Sequence, residues 1–132
     1  MKRSYDANDK ECTQACLGIG AKLLIDGAAN GLNPDKVFAF RRKTVWMEIK
    51  VLADIPKKDH DRNRWHWLRD TKGHNAGNRH KPGSQKDIAT KLYLARIYLY
   101  VVANPDEAME ALLTGPEHLI AYPPNLFMRM GK

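Results

Sequence analysis

Residues 44–52 read Thr-Val-Trp-Met-Glu-Ile-Lys-Val-Leu. Val45, Met47, Ile49 and Val51 alternate with Trp46, Glu48, Lys50 and Leu52, and a period of two separates the faces of a β-strand. The expectation is a half-buried strand: one apolar face toward a core, and a second face that carries Glu48 and Lys50 side by side. Upstream, Lys36 to Phe40 is a second extended segment. The short basic stretch Arg41-Arg42-Lys43 between the two predicts a hairpin.

The flanks supply helices. Residues 6–17 offer Asp6, Asn8 or Asp9 as N-cap, and Glu11 follows Asn8 by three, as in a capping box. Gly18 and Gly20 could stop this helix, while AKLLI at 21–25 could continue it or begin a strand. Asp26 to Pro34 is dense in turn formers and predicts a connection. Ser84 is placed to cap a helix starting QKDIATKLYLA. The run IYLYVVA from Ile97 suits a buried strand, with helical continuation as the alternative. Asn104-Pro105 caps a helix DEAMEALL, stopped by Gly115-Pro116. Residues 115–132 are apolar but broken by proline, which predicts an irregular arm. The reading is one domain over 1–132 of α/β or α+β class, a small mixed sheet flanked by helices.

At 132 residues the chain can bury a real core, roughly two thirds of its unfolded surface. Its 22 Lys and Arg against 15 acids give a formal net charge of +7 and a pI near 9.5. That excess favours a polyanionic partner, nucleic acid above all, through counterion release. No apolar run approaches the length needed to span a bilayer, so no membrane partner is expected. The first residues lack the apolar stretch of a signal peptide, which points to a cytoplasmic protein. Cys12 and Cys16 share a helix face at i, i+4, and no second Cys/His pair sits at zinc-module spacing. They read as packing thiols in a reducing compartment.

Two groups of residues carry chemistry. Pro34-Asp35 stands at the entry to the first extended segment and Glu48-Ile49-Lys50 lies in the second. A hairpin can bring Asp35 and Glu48 to one sheet edge, where paired carboxylates make a hard-oxygen site suited to Mg²⁺ or Mn²⁺. Lys50, on the same face as Glu48, could orient a water attacking a phosphodiester or balance charge in the transition state. The alternative is an exposed charged pair on a solvated strand face, with Asp35 a turn residue.

The second group is the stretch 54–84, an insertion with eight of the basic residues, four of the five histidines and two of the three tryptophans. Its Lys57, Lys58, Arg62, Arg64, Arg69, Lys72, Arg79 and Lys81 could meet phosphates, and Trp65 and Trp67 could stack on unpaired bases. A solvated loop pinned to the core by one tryptophan is the alternative. Asp59-His60-Asp61, His66, His74 and His80 could suggest a metal or HNH-type site, but the spacings fit no zinc module.

On Pro34-Asp35 and Glu48-Ile49-Lys50 the chain resembles the PD-(D/E)xK nuclease superfamily, and within it the small virus-type replication-repair (VRR-NUC) domains. The likeness spans residues 6–114 in its order of helix, hairpin, helix, strand and short terminal helix. The resemblance implies a restriction-endonuclease-like fold, metal held by Asp35 and Glu48, a catalytic Lys50, an acid on the first helix (Glu11) completing the metal site, and a glutamine opening the helix after the lysine strand (Gln85). It also implies a strand before Pro34, and enzymes that often work as homodimers on DNA. The 54–84 insertion departs from the compact family form. The expected function is therefore a metal-dependent DNA endonuclease, resolvase- or repair-like. The alternative is a non-catalytic basic factor of phage or mobile-element type that binds nucleic acid or protein.

Overall fold

A computed structural model describes residues 5–27, 36–69 and 84–124. The elements run α1 (Tyr5–Gly18), β1 (Lys22–Asp26), β2 (Lys36–Phe40), β3 (Lys43–Ile49), α2 (Gln85–Leu94), β4 (Leu99–Val102) and α3 (Pro105–Leu113). The four strands form one sheet in the order β1-β2-β3-β4. β1, β2 and β3 are successively antiparallel, and β4 lies parallel to β3. This is an α+β fold with helices flanking a mixed sheet.

The hairpin forms where the sequence places it. Its loop is tighter than the basic stretch suggests: Lys43 already pairs with Phe40, leaving Arg41 and Arg42 as a two-residue turn. Both have positive φ, 48° and 65°. That twist matches the strands of a two-residue hairpin and is adopted most easily by Asn and Gly. Stacking of the Arg41 guanidinium on the Phe40 ring, 4.8 Å to the centroid, offsets part of the strain.

AKLLI resolves as strand. Gly20, at φ 101°, turns the chain after α1, and β1 follows as an edge strand with a bulge between Leu23 and Ile25. α1 begins ahead of the capping-box candidates, so Asn8 and Glu11 lie within the helix. The other caps are as expected. Ser84 Oγ accepts from Asp87 N–H at 3.1 Å and Asn104 Oδ1 from Glu107 N–H at 2.9 Å. Gly115 ends α3 at φ 57°, and a Cβ there would meet the Tyr100 hydroxyl at 2.6 Å.

β3 departs most from expectation: both of its faces are covered. Val45, Met47 and Ile49 join Phe38, Val102, Cys12, Cys16, Ala108 and Leu112 in a core under α1 and α3. Trp46 packs instead with Leu99, Val101, Trp65, Trp67, Leu68 and Ala89, a second core roofed by α2 and residues 52–68. Part of the presumed insertion is thus structural. It folds as three short 3-10 turns, Leu52–Asp54, Lys57–Asp59 and Arg64–Trp67.

Arg64 clasps the two layers together. Its Nη1 and Nη2 meet the Glu107 carboxylate at 2.9 and 3.0 Å, Nη1 also donates to Val101 O at 2.7 Å, and the guanidinium lies 3.9 Å from the Trp67 ring centroid. Glu107 additionally accepts from Ala103 N–H at 2.9 Å. The segment after α3 is ordered against β4, where Ile120 bridges Tyr100 and Ala121 N–H donates to Leu99 O. With Arg64 on Val101 O, this covers the outer edge of β4, which would otherwise present unpaired backbone groups.

Two predictions follow from these contacts. Arg42→Gly relieves a left-handed arginine and should raise stability by about 0.5–1 kcal/mol, read as a higher urea midpoint. Burial would raise the Glu107 carboxyl, but hydrogen bonds from Arg64 and Ala103 and the Arg64 charge outweigh it and hold the pKa below the ordinary value. A depressed carboxyl stabilises the fold above its unfolded pKa, and that contribution drains away as pH falls through the folded value. Glu107→Gln, which leaves Arg64 buried without its counter-charge, should cost roughly 3 kcal/mol at neutral pH and flatten the loss of stability below pH 4.5. Urea titrations between pH 3 and pH 7 measure both effects.

Candidate active site

Glu48 occupies the last turn of the β3 pleat on the α2 side, opposite Val101 of β4 in register. The strand pairing continues one residue further through Lys50 N–H to Val102 O at 2.8 Å. Period-two alternation therefore sends the Glu48 side chain into the space between sheet and roof, where it is 2% exposed, and Lys50 is 8% exposed. This corrects the expectation of a half-buried strand with an open charged face. A carboxylate and an ammonium at this depth require partners, since an unpaired buried charge costs several kcal/mol.

The partner is Gln85. Capping by Ser84 fixes the start of α2 and sets Gln85 as its first residue. Its carboxamide divides between the two ions: Nε2 donates to Glu48 Oε2 at 2.7 Å, and Oε1 accepts from Lys50 Nζ at 2.5 Å. Oε1 also accepts from the backbone N–H of Arg69 at 2.8 Å, tying the roof segment to the same amide. Lys50 Nζ stands 3.7 Å from Glu48 Oε2. All three side chains line a cleft of about 470 Å³, bounded also by Asp54, Asp59, His66 and Arg69.

Asn8 fixes the floor of this arrangement. Its Nδ2 donates to Lys50 O at 2.9 Å and to Ala103 O at 3.0 Å, and its Oδ1 faces Cys12 Sγ at 3.8 Å. On the same side of the sheet Lys36 Nζ, 2% exposed, meets Asp26 Oδ1 at 2.5 Å and Asp9 Oδ2 at 3.2 Å. Burial would lower the Lys36 pKa, but these two carboxylates outweigh it and raise it above the ordinary lysine value. The sequence offers Asn8 and Asp9 only as helix caps, and neither the Asn8 bonds nor this triad is legible there. An asparagine inside a helix, where it is a poor former, was the available signal for the first.

The remaining sequence candidates divide. Asp35, Lys72, Arg79 and Lys81 lie outside the described residues. Glu11 is exposed on α1 and is not among the residues lining the cleft, while Asn8 of the same helix bonds the Lys50 backbone from the opposite face. Arg64 is buried and committed to Glu107. Trp65 and Trp67 are 3% and 4% exposed, and Trp67 Nε1 donates to Asp59 O at 2.7 Å. Their rings are core material, which replaces the expectation that they stack on bases. Lys57, Lys58, Arg62 and Arg69 are exposed, and Arg69 borders the cleft. Among the described residues no group of three His, Cys, Asp or Glu forms a ready-made metal site, and no helix is long and apolar enough to cross a membrane. Comparison with protein-family models, curated proteins and solved structures finds no match to this chain.

The amide bridge yields a stability prediction. Gln85→Leu fills a similar volume but leaves Glu48 and the Arg69 N–H without their bonds, at a cost of about 2–3 kcal/mol. Gln85→Glu brings a second carboxylate against Glu48 and should be no better. Chemical denaturation at neutral pH compares the three proteins.

Proposed function

We propose that this chain is a metal-dependent nuclease of the PD-(D/E)xK type that hydrolyses phosphodiester bonds in DNA. One observation carries the reading: Glu48, Lys50 and Gln85 are joined in a buried, hydrogen-bonded cluster that borders a polar cleft. A charged pair on a solvated strand face would have neither the burial nor the shared amide. The element order supports the same reading, because β1 supplies the strand that the resemblance implies before Pro34, and β2, β3, α2 and β4 follow in sequence.

In this proposal Glu48 and Asp35 hold Mg²⁺ or Mn²⁺. Glu48 offers hard carboxylate oxygen at the cleft, and Asp35 is one peptide bond before Lys36, whose strand partner is Met47, the neighbour of Glu48. A bound divalent ion would polarise a phosphoryl oxygen and acidify a water. Lys50 holds an ammonium beside the carboxylate, where it can orient the attacking water and balance negative charge building on phosphorus. Gln85 sets the distance between these two ions and is a positioning residue. Arg69 at the cleft, with Lys57 and Lys58 on a neighbouring turn, supplies cations for flanking phosphates.

The test is nicking of supercoiled plasmid with Mg²⁺ or Mn²⁺. Wild-type protein should convert it to the open form, chelator should abolish conversion, and Glu48→Gln and Lys50→Ala should slow it by on the order of 10²-fold or more with circular dichroism unchanged. Full cutting by Lys50→Ala would remove Lys50 from the mechanism. Salt-dependent DNA binding without any metal-stimulated cleavage would instead favour the non-catalytic binding factor.

A further inference from the structure

The cleft has a wall that the proposed chemistry does not use. Residues 57–67 fold as two 3-10 turns, and from them Asp59 and His66 border the same space as Glu48 and Lys50. Asp59 is buried, and its carboxylate accepts from Arg62 Nη1 at 3.0 Å. The other arm of that guanidinium, Nη2, lies 3.1 Å from His66 Nε2. An arginine can only donate, so this contact is a hydrogen bond when Nε2 accepts, in the neutral ring that carries its proton on Nδ1. Among the described residues Nδ1 makes no hydrogen bond. The sequence thus arranges an aspartate to hold an arginine, and the arginine to fix the tautomer of a histidine at the cleft.

We propose that His66 is a further substrate-contacting residue of this cleft, donating its Nδ1–H to an oxygen of the phosphodiester, with Asp59 and Arg62 as the positioning residues that hold the ring in that tautomer. The proposal rests on the nuclease reading and deepens it by naming a second wall for the same substrate. The proton is shared and not transferred, so His66 acts as a fixed dipole directed at developing negative charge. The surroundings are consistent with a neutral ring. Burial lowers the His66 pKa first, the nearby Arg62 and Lys86 charges lower it further, and Asp59 opposes them. Glu48, Lys50, Asp54 and Arg69 complete the charged groups on the cleft.

Plasmid nicking separates this role from that of Glu48 and Lys50. At pH 7.5, His66→Ala should nick on the order of 10²-fold more slowly than wild type. His66→Gln keeps an N–H donor and should recover part of the loss. Arg62→Met removes the bond that fixes the tautomer, so the ring no longer holds its proton on Nδ1 throughout, and kcat should fall several-fold with KM little changed. His66→Ala cutting at the wild-type rate, or an Arg62→Met variant that keeps the wild-type kcat, overturns the role of His66 and leaves the Glu48–Lys50 site standing. A wild-type protein that fails to nick overturns the nuclease reading, and this inference with it. If His66→Ala does not fold, His66→Gln and Arg62→Met carry the test, with circular dichroism as the check on each.

Discussion

A strand buried on both faces tolerates charge only where another element comes to meet it. β3 is such a strand, and its Glu48 and Lys50 impose conditions on much of the chain. α2 must begin where Gln85 can reach both ions, so its N-cap at Ser84 is tied to the register of β3 thirty-odd residues earlier. The roof over residues 52–68 must be dense enough to exclude water yet leave a cleft beside the carboxylate, which explains why it is built on two tryptophans and an arginine clasp. On the opposite face Asn8 holds the Lys50 backbone from α1. Removing one partner of a buried charge costs more than the pair contributes, so these elements are fixed relative to one another.

The caps of α2 and α3, the hairpin and the alternation of β3 were legible in the sequence because each is decided within a few residues. Ser84, Asn104-Pro105 and the 44–49 pattern need only local geometry. What covers the second face was not legible. Alternating charged and apolar residues look the same whether the charges meet water or a glutamine 37 positions away. Residues 54–84 read as a loop because successive 3-10 turns have no sustained period, and Trp65, Trp67 and Arg64 therefore passed for nucleic-acid contacts when they are core. Glu48, Lys50 and Gln85 were nonetheless named together from sequence, by resemblance to a family pattern and by residue chemistry, before any contact among them was known. His66 was noticed only as one histidine among several; its pairing with Arg62 depends on a turn the sequence did not announce.

Two of the buried polar clusters differ in what they leave exposed to chemistry. Lys36, Asp9 and Asp26 form an ion triad between α1, β1 and β2, and their role is to fasten the first hairpin to the helix. Glu48, Lys50 and Gln85 border open space, and the neutral amide bonds to both ions of the pair. Stability alone would be served as well by apolar residues of the same volume.

Asn8 also bears on the order in which the molecule can be made. Its side chain joins the first helix to Ala103, 95 residues later in the chain. During synthesis the amino-terminal helix emerges long before β4, and its buried face, with Asn8, Cys12 and Cys16, has no complete surface to dock on until residue 103 has left the ribosome. The hairpin can assemble early from neighbouring residues, but the domain closes only once residue 103 has emerged. Until then the nascent chain carries an exposed apolar helix face and an open strand edge, the state in which a chaperone has most to offer it.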